Sequence, residues 1–237
     1  MKETDQTIEF QTGKTLFIDK ELYWTSFDVV NKVRIVLRQQ LGLKKIKAGH
    51  AGTLDPLATG LVIVCTGKST KNITDFQDLE KEYIASLKLG ESTPSFDLET
   101  EVDASFETAH ITEEMVISAI LKFTGEIDQI PPLYSAKYVN GTRAYVLARK
   151  GENIELKPNR VNIVSIELLS FELPVVKIKI VCSKGTYIRS LVRDLGCELM
   201  SGAHLTELRR TRIGQFTVNQ AIKLEEFQNS LTVFETN

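Results

Sequence analysis

Apolar residues recur at two spacings along the chain, and each spacing predicts a different element. After Thr25 they recur at helical intervals, and Gly42 then offers a typical helix stop. Asp28 follows Thr25 by three residues, as in a capping box. Further along, apolar residues occupy every second position of a segment, which predicts a half-buried strand. The helical positions are Val29, Val30, Val33, Val36, Leu37 and Leu41, and the strand positions are Val176, Ile178, Ile180 and Cys182.

Shorter patterns predict the remaining elements. Strands are expected at residues 15–19, 61–66 and 83–89, and helices at residues 112–123 and from Thr186 onward. Asn140-Gly141 predicts a hairpin, because both residues tolerate positive φ. Strands and helices are mixed without regular βαβ alternation. We therefore predict an α+β fold with a central, mostly antiparallel mixed sheet flanked by helices and loops.

Composition narrows the class of protein. The chain has 237 residues, and its longest apolar run, Leu61–Cys65, is far shorter than the roughly 20 residues that cross a bilayer. The start lacks a signal-peptide pattern, and the three cysteines are far apart, so we expect a reducing cytoplasm. The three histidines lack metal-ligand spacing, so no metal is expected. No linker or repeat divides the chain, so we predict one domain over residues 1–237 and, as the simplest state, a monomer.

The charges are distributed unevenly, although the net charge is only −2. Between Asp28 and Asp55 there are six Lys and Arg residues and no acid, and residues 134–150 and 184–212 contain further basic groups. Residues 91–115, by contrast, contain eight acids and no Lys or Arg. One basic group is typical of a solvated surface. Three groups interleaved with tyrosines favour a face that binds a polyanion.

The segment 49–60, Gly-His-Ala-Gly-Thr-Leu-Asp-Pro-Leu-Ala-Thr-Gly, is the main candidate for chemistry. Its carboxylate, Asp55, stands between Leu54 and Pro56, where burial is unfavourable unless a cation pairs with it. The alternative is an Asp-Pro turn in which the carboxylate caps its own backbone. The segment has no second acid, so the paired carboxylates of a glycosidase are absent from it.

This segment resembles the signature of the TruB family of tRNA pseudouridine synthases. Further stretches are similar to that family in the same order, and the resemblance spans about residues 14–216. It implies a pseudouridine synthase fold and an isomerase that needs no cofactor or metal. The implied substrate is the T stem-loop of tRNA, whose uridine 55 is converted by cleavage of the N-glycosidic bond and re-attachment through C5. The further stretches are residues 14–20, 24–27, 67–71, 81–83, 129–136, 141–151, 182–189 and 202–210.

The resemblance also implies catalytic roles for three residues. Asp55 matches the catalytic aspartate, which either attacks C1′ of the ribose or deprotonates C2′; the sequence leaves both open. Arg189 matches an arginine that pairs with this aspartate and keeps it ionised. Tyr83 matches a tyrosine that stacks on the target base. From the residues alone, a surface arginine is the preferred interpretation of Arg189, whereas for Tyr83 a plain strand aromatic is an equal alternative.

Four further residues match positions that bind the RNA or line the site. Leu208 matches a residue that closes the base pocket, although its spacing also fits a core leucine. His50 matches a residue that enters the T loop, and its alternative is a loop histidine bonded to backbone. Lys71 and Tyr187 match positions beside the site, and for Lys71 a phosphate contact is the simplest role.

The sequence departs from the family pattern in three places. Glu21 and Tyr23 replace the usual proline and glycine of a supporting turn, and Pro94 and Phe96 alter an acidic stretch around Asp97. Only about 21 residues follow Phe216, so no C-terminal PUA domain is expected. A catalytically silent RNA-binding or tRNA-folding module remains the alternative function, although the presence of the three catalytic candidates favours the isomerase.

Overall fold

A computed structural model describes residues 5–139, 141–152 and 154–231 and divides the chain into two compact units. Unit 1 contains the described residues up to Lys81 and from Arg209 onward, and unit 2 is Glu82–Leu208. The helices are α1 (Asp5–Gly13), α2 (Ser26–Leu41), α3 (Ile73–Asp78), α4 (Glu113–Lys122), α5 (Ala144–Arg149), α6 (Ile188–Glu198) and α7 (Leu224–Asn229), with 3₁₀ helices at Gly67–Asn72 and Val218–Gln220. The strands are β1 (Thr15–Lys20), β2 (Ala48–His50), β3 (Ala58–Thr66), β4 (Lys81–Leu89), β5 (Glu91–Ser92), β6 (Ala104–Ser105), β7 (Gly125–Gln129), β8 (Tyr138–Val139), β9 (Thr142–Arg143), β10 (Asn159–Glu172), β11 (Val175–Cys182), β12 (Ala203–Ile213) and β13 (Phe216–Thr217).

Unit 1 is built on strands in the order β1-β3-β12, with β2 and β13 at their sides. β1 and β3 are antiparallel, from the pair Thr15 and Cys65 to the pair Lys20 and Gly60. β2 is also antiparallel to β3, which places His50 opposite Val64. The core beneath these strands contains Ala51, Leu61, Ile63, Cys65 and Ile213, all fully buried.

Helix α2 of unit 1 confirms its prediction in detail. The Thr25 hydroxyl accepts a bond of 3.0 Å from the Asp28 N–H, and the Asp28 carboxylate accepts from the Thr25 N–H at 2.9 Å. This capping box satisfies donors that a helix start leaves unpaired. Gly42 ends the helix at φ +66°, and all six predicted apolar positions are buried.

Unit 2 is built on strands in the order β12-β4-β11-β10-β7, in which β10 is antiparallel to both β11 and β7. The predicted strands β4 and β11 are confirmed, and β11 alternates between buried and more exposed positions. The predicted hairpin is confirmed by the pairing of Val139 with Thr142, although Asn140 lies outside the described residues. The registers are antiparallel and helices flank the strands, which confirms the predicted α+β class.

Three differences from prediction have a local structural cause. Helix α1 was not expected, because only Thr7 and Phe10 of its nine residues are buried and its periodicity is weak. Strand β3 begins at Ala58, three residues early, because Gly60 adopts φ +107° and stays in the ladder with β1. Helix α6 begins at Ile188, since Tyr187 has the extended backbone of an N-cap. Among the described residues, no helix has both the length and the apolar character needed to span a membrane.

Candidate active site

The Asp55 segment connects β2 to β3 in unit 1, and its first half is fixed by backbone bonds. The Ala51 N–H donates to the Ile63 carbonyl at 2.9 Å, and the Ala51 side chain lies in the core. The Leu54 N–H donates to Ser26 Oγ at 2.8 Å, and the Ser26 hydroxyl donates back to the Leu54 carbonyl at 3.2 Å. The residue before Asp55 is therefore tied to the first turn of α2.

The second half of the segment is held by the turn that departs from the family pattern. The Tyr23 N–H donates to the Pro56 carbonyl at 2.8 Å, and the Ala58 N–H donates to the Asp55 carbonyl at 3.0 Å. Tyr23 adopts φ +68°, a left-handed conformation that glycine adopts freely and other residues rarely do. Tyr23 adopts this conformation where the resemblance leads us to expect glycine, and its side chain is 75% exposed.

Lys20 supports the same segment from the end of β1. Its buried ammonium donates to the carbonyls of Glu21 at 3.0 Å, Trp24 at 2.7 Å and Ala58. Burial lowers the pKa of Lys20 to about 8, and the negative charge of Asp55 opposes this shift. At neutral pH, Lys20 is a buried cation whose field acts on Asp55.

Arg210 of β12 is another buried cation of unit 1. Its guanidinium donates to the carbonyls of Leu61 at 2.7 Å, Thr53 at 3.3 Å and Gly52 at 3.3 Å, and its side chain is only 1% exposed. These three carbonyls stand on both sides of Asp55 in the chain. Arg210 therefore joins the two ends of the segment.

The other unit 1 candidates have different surroundings. His50 ends β2, and its buried Nδ1 has no hydrogen-bond partner among the described residues. Burial lowers the pKa of His50, so the ring is neutral at pH 7. Lys71 is exposed on the first 3₁₀ helix, a placement compatible with contact to a phosphate.

In unit 2, Arg189 is buried rather than exposed, which excludes the surface alternative. Its Nε lies 3.5 Å from the Asp97 carboxylate, and its Nη1 donates to the Ser95 carbonyl at 3.2 Å. The departing Phe96 adopts φ +62°, and its ring lies under the Arg193 guanidinium at 4.9 Å. The altered acidic stretch therefore holds Arg189. The pairing of Arg189 with Asp55 stays a prediction.

Three further candidates also belong to unit 2. Tyr83 and Leu208 are buried in β4 and β12. Tyr187 precedes α6, where its N–H donates to the Gln129 side chain at 2.8 Å and its carbonyl accepts from it at 3.1 Å. This pair of hydrogen bonds to Gln129 fixes the backbone of Tyr187.

Sequence reasoning missed the roles of Lys20 and Arg210. A signal was present, because Lys20 continues the buried alternation of Leu16 and Ile18 in β1, and Arg210 shares the phase of Leu208 in β12. A charged residue in a buried phase needs several hydrogen-bond acceptors. In the described part of the chain, no cluster of three His, Cys, Asp or Glu residues is placed to bind a metal.

Comparison with protein families supports the resemblance of the Asp55 segment. A model of the TruB family pseudouridylate synthase N-terminal domain matches residues 38–188. A model of the tRNA pseudouridylate synthase B C-terminal domain matches residues 189–237. The two matches include every candidate site residue.

Individual relatives are similar over nearly the full length. The tRNA pseudouridine synthase B of Phocaeicola vulgatus is 58% identical over 93% of this chain and 94% of the relative. That of Parabacteroides distasonis is also 58% identical, over 94% of this chain and 95% of the relative. That of Flavobacterium johnsoniae is 50% identical over 94% of this chain.

Solved structures share the fold. A chain of a Cbf5-Nop10-Gar1 complex matches with a TM-score of 0.71 and 29% identity, over 94% of this chain and 55% of that one. A chain of an H/ACA RNP bound to a substrate RNA containing 2′-deoxyuridine matches with a TM-score of 0.69 and 27% identity. This chain thus spans about half of the length of those chains. The predicted pseudouridine synthase fold is confirmed.

Proposed function

The chain belongs to the TruB family of pseudouridylate synthases, and on this premise we propose that Asp55 is the catalytic carboxylate that acts on uridine 55 in the T loop of tRNA. The activity of the chain is the isomerisation of uridine in tRNA to pseudouridine. The observation that carries the assignment to Asp55 is its fixed segment, which is bonded on both sides of this carboxylate.

The reaction exchanges one bond for another without any redox change. The bond between C1′ and N1 breaks, a bond between C1′ and C5 forms, C5 loses a proton and N1 gains one. A group that attacks C1′ as a nucleophile, or that removes a proton from C2′, can begin the exchange. A carboxylate can do either, and it must be ionised and fixed near the ribose.

A buried positive charge acts on Asp55. The negative charge of Asp55 raises the pKa of Lys20, so the two groups attract each other electrostatically. The bonds to the neighbouring backbone restrict the positions that the carboxylate can adopt. Preorganisation of this kind reduces the entropy that is lost on reaching the transition state.

The other assignments belong to the same proposal. We assign Arg189 as the catalytic cation and Tyr83 as the residue that stacks on the target base. His50, Lys71, Tyr187 and Leu208 bind the RNA or line the base pocket. The target uridine is inside a folded loop, so it has to be flipped out at a cost of a few kcal/mol, which these contacts offset.

Replacement of Asp55 tests the proposal. Purified wild type and Asp55→Asn are incubated with unmodified tRNA transcript, and pseudouridine is mapped by carbodiimide modification and primer extension. We expect one pseudouridine, in the T loop, with wild type and none with Asp55→Asn. Binding of tRNA by the variant should stay within about threefold, because the substitution removes the charge and little volume.

Asp75→Asn is the matched control, since Asp75 is an exposed acid of α3 in the same unit. It should give wild-type yields. Pseudouridine formation by Asp55→Asn at the wild-type rate would refute the assignment. Saturating tRNA binding by wild type without any pseudouridine would instead support the silent binding module, which no observation now favours.

Three expectations go further than the assignment of tRNA as the class of substrate. A cytoplasmic location, a monomeric state and independence from metal stay predictions. Sedimentation of the purified protein tests the monomer, and activity in excess EDTA tests the independence from divalent metal.

A further inference from the structure

Five of the six basic residues between Asp28 and Asp55 line one groove on unit 1. The groove has a volume of about 480 Å³ and lies along the second half of α2 and the segment that leads to β2. We call it the basic groove. Its lining residues are Asn31, Arg34, Ile35, Arg38, Leu43, Lys44, Lys45, Ile46 and Lys47.

The cations of the basic groove are available to a ligand. Arg38, Lys44, Lys45 and Lys47 are exposed, and within the described ranges none of them is in an ion pair. Arg34 is more buried, and it donates to the Ala48 carbonyl and, at 3.2 Å, to Asn31 Oδ1. No acid is present in the chain from residue 29 to residue 54, so these charges have no carboxylate from their own segment.

The composition of the groove indicates which part of a nucleic acid it fits. Its lining has five cations, three aliphatic residues and one amide, and no aromatic residue. Bases stack on aromatic side chains, whereas lysines and arginines contact phosphates. Several cations spread along a helix and a neighbouring segment fit a row of phosphates better than a single anion.

The position of the groove on α2 sets its distance from the chemistry. Ser26, at the start of α2, is bonded to Leu54 beside Asp55. At a rise of about 1.5 Å per residue, the stretch from Asn31 to Arg38 lies roughly 8–18 Å along the helix axis from Ser26. One strand of a DNA duplex has a phosphate about every 3.4 Å of axis, so a nucleic-acid backbone that follows α2 passes about two to five nucleotides over this span.

We propose that the basic groove binds backbone phosphates of the RNA stem next to the target loop, several nucleotides from the uridine that reacts. The inference rests on the proposed function for the identity of the RNA. The groove therefore adds affinity for a folded hairpin through the shape of its backbone, and it does not read the bases.

A structural role for these cations makes a different prediction. Cations in the last turn of a helix stabilise its dipole, but only Arg38 lies in the last turn of α2. Lys44 and Lys45 follow the Gly42 cap. Their replacement should therefore leave the melting temperature unchanged, whereas a role in folding would lower it.

The test compares two triple variants with equal loss of charge. The groove variant is Arg38→Gln/Lys44→Gln/Lys45→Gln. The control is Lys122→Gln/Lys179→Gln/Lys223→Gln, because each of these lysines is ion-paired with a glutamate. Both are made on the Asp55→Asn background, and the dissociation constant of a T-arm hairpin RNA is measured at several salt concentrations.

The groove variant should bind about tenfold or more weakly at low salt, and the slope of log affinity against log salt should fall by about 2–3, since each lost phosphate contact removes roughly 0.7–0.9. The control should change neither quantity. In ethylation interference, wild-type binding should be weakened by ethylation of particular stem phosphates, and the groove variant should be insensitive at the same phosphates.

Wild-type affinity and slope in the groove variant would overturn the inference. Ethylation-interference differences confined to phosphates of the loop would also overturn it. So would loss of the affinity difference between wild type and the groove variant in millimolar inorganic phosphate at constant ionic strength, because this result would indicate that the groove binds a free anion. Because these readouts measure binding alone, they are independent of pseudouridine formation. Failure of the catalytic proposal would appear in the mapping experiment instead.

Discussion

Removal of the Arg210 guanidinium should loosen the Asp55 segment and lower stability by a large amount. Arg210→Met keeps most of the side-chain volume but removes the donors to three carbonyls, at Leu61, Thr53 and Gly52. A hydrogen bond from a charged group contributes about 1.5–3 kcal/mol, and a buried carbonyl left without a donor costs about 1–3 kcal/mol. Relief of the desolvation of a buried cation offsets part of this loss.

The balance is a loss of about 3–5 kcal/mol, because one of the three bonds is short, at 2.7 Å, and two are long, at 3.3 Å. A domain of ordinary stability has about 5–15 kcal/mol, so the variant should fold but with a clearly lower urea midpoint. The folded fraction should have a kcat lower by roughly a hundredfold, since a displacement of about 1 Å at a reacting group has this effect.

Arg209→Met is the control for these measurements. Arg209 is the adjacent residue of β12, is 41% exposed in its side chain, and makes an ion pair of 2.7 Å with Asp19. Such a pair contributes about 1 kcal/mol or less. Equal effects of the two substitutions on urea midpoint and kcat would refute the role given to Arg210, as would a loss below about 1 kcal/mol for Arg210→Met.

Two further predictions concern the neighbours of this segment. The pKa of Lys20 is about 8 in the folded protein against 10.5 normally. The folded state therefore releases this proton at lower pH than the unfolded state, and the free energy of unfolding should rise by up to about 3 kcal/mol as pH increases from 8 to 10.5. Urea titrations should show this rise in wild type relative to Lys20→Met, and an equal pH dependence in both proteins would contradict it. Gly60→Ala should lower stability by more than about 3 kcal/mol, because the new Cβ would lie 2.2 Å from the Arg210 carbonyl oxygen at φ +107°. The control is Gly141→Ala, with φ +82° and no atom within 4 Å of its Cβ, which should cost only about 1 kcal/mol in thermal unfolding.

Periodicity predicted the elements in which one face is buried and regular. Helix α2 has seven buried residues in phase, and β11 alternates along its length. Helix α1 was not predicted, because a nine-residue helix with few buried positions gives almost no periodic signal. The early start of β3 was not predicted, because glycine is typical of a loop. In the structure, the positive φ of Gly60 and the close approach of the Arg210 backbone both favour glycine within the strand.

Sequence motifs predicted only part of the candidate site. The identity and order of residues 49–60 indicated the family, and with it Asp55. The residues that hold this segment are distant in sequence. Their buried strand phase marks Lys20 and Arg210 as unusual, but it does not show which backbone carbonyls they bind. Tyr23 illustrates the limit, because a left-handed conformation occurs at a position where the sequence has tyrosine and not the expected glycine.

The hydrogen-bond partners of Lys20 and Arg210 have an electrostatic consequence. Among described residues, Lys20 and Arg210 donate only to backbone carbonyls, whereas Arg209 is paired with the carboxylate of Asp19. Carbonyl dipoles satisfy the donors but carry no net charge, so the positive potential of both cations persists in the segment. A carboxylate partner would cancel it. The arrangement therefore fixes the backbone around Asp55 and, with the same two side chains, supplies a positive potential in this segment.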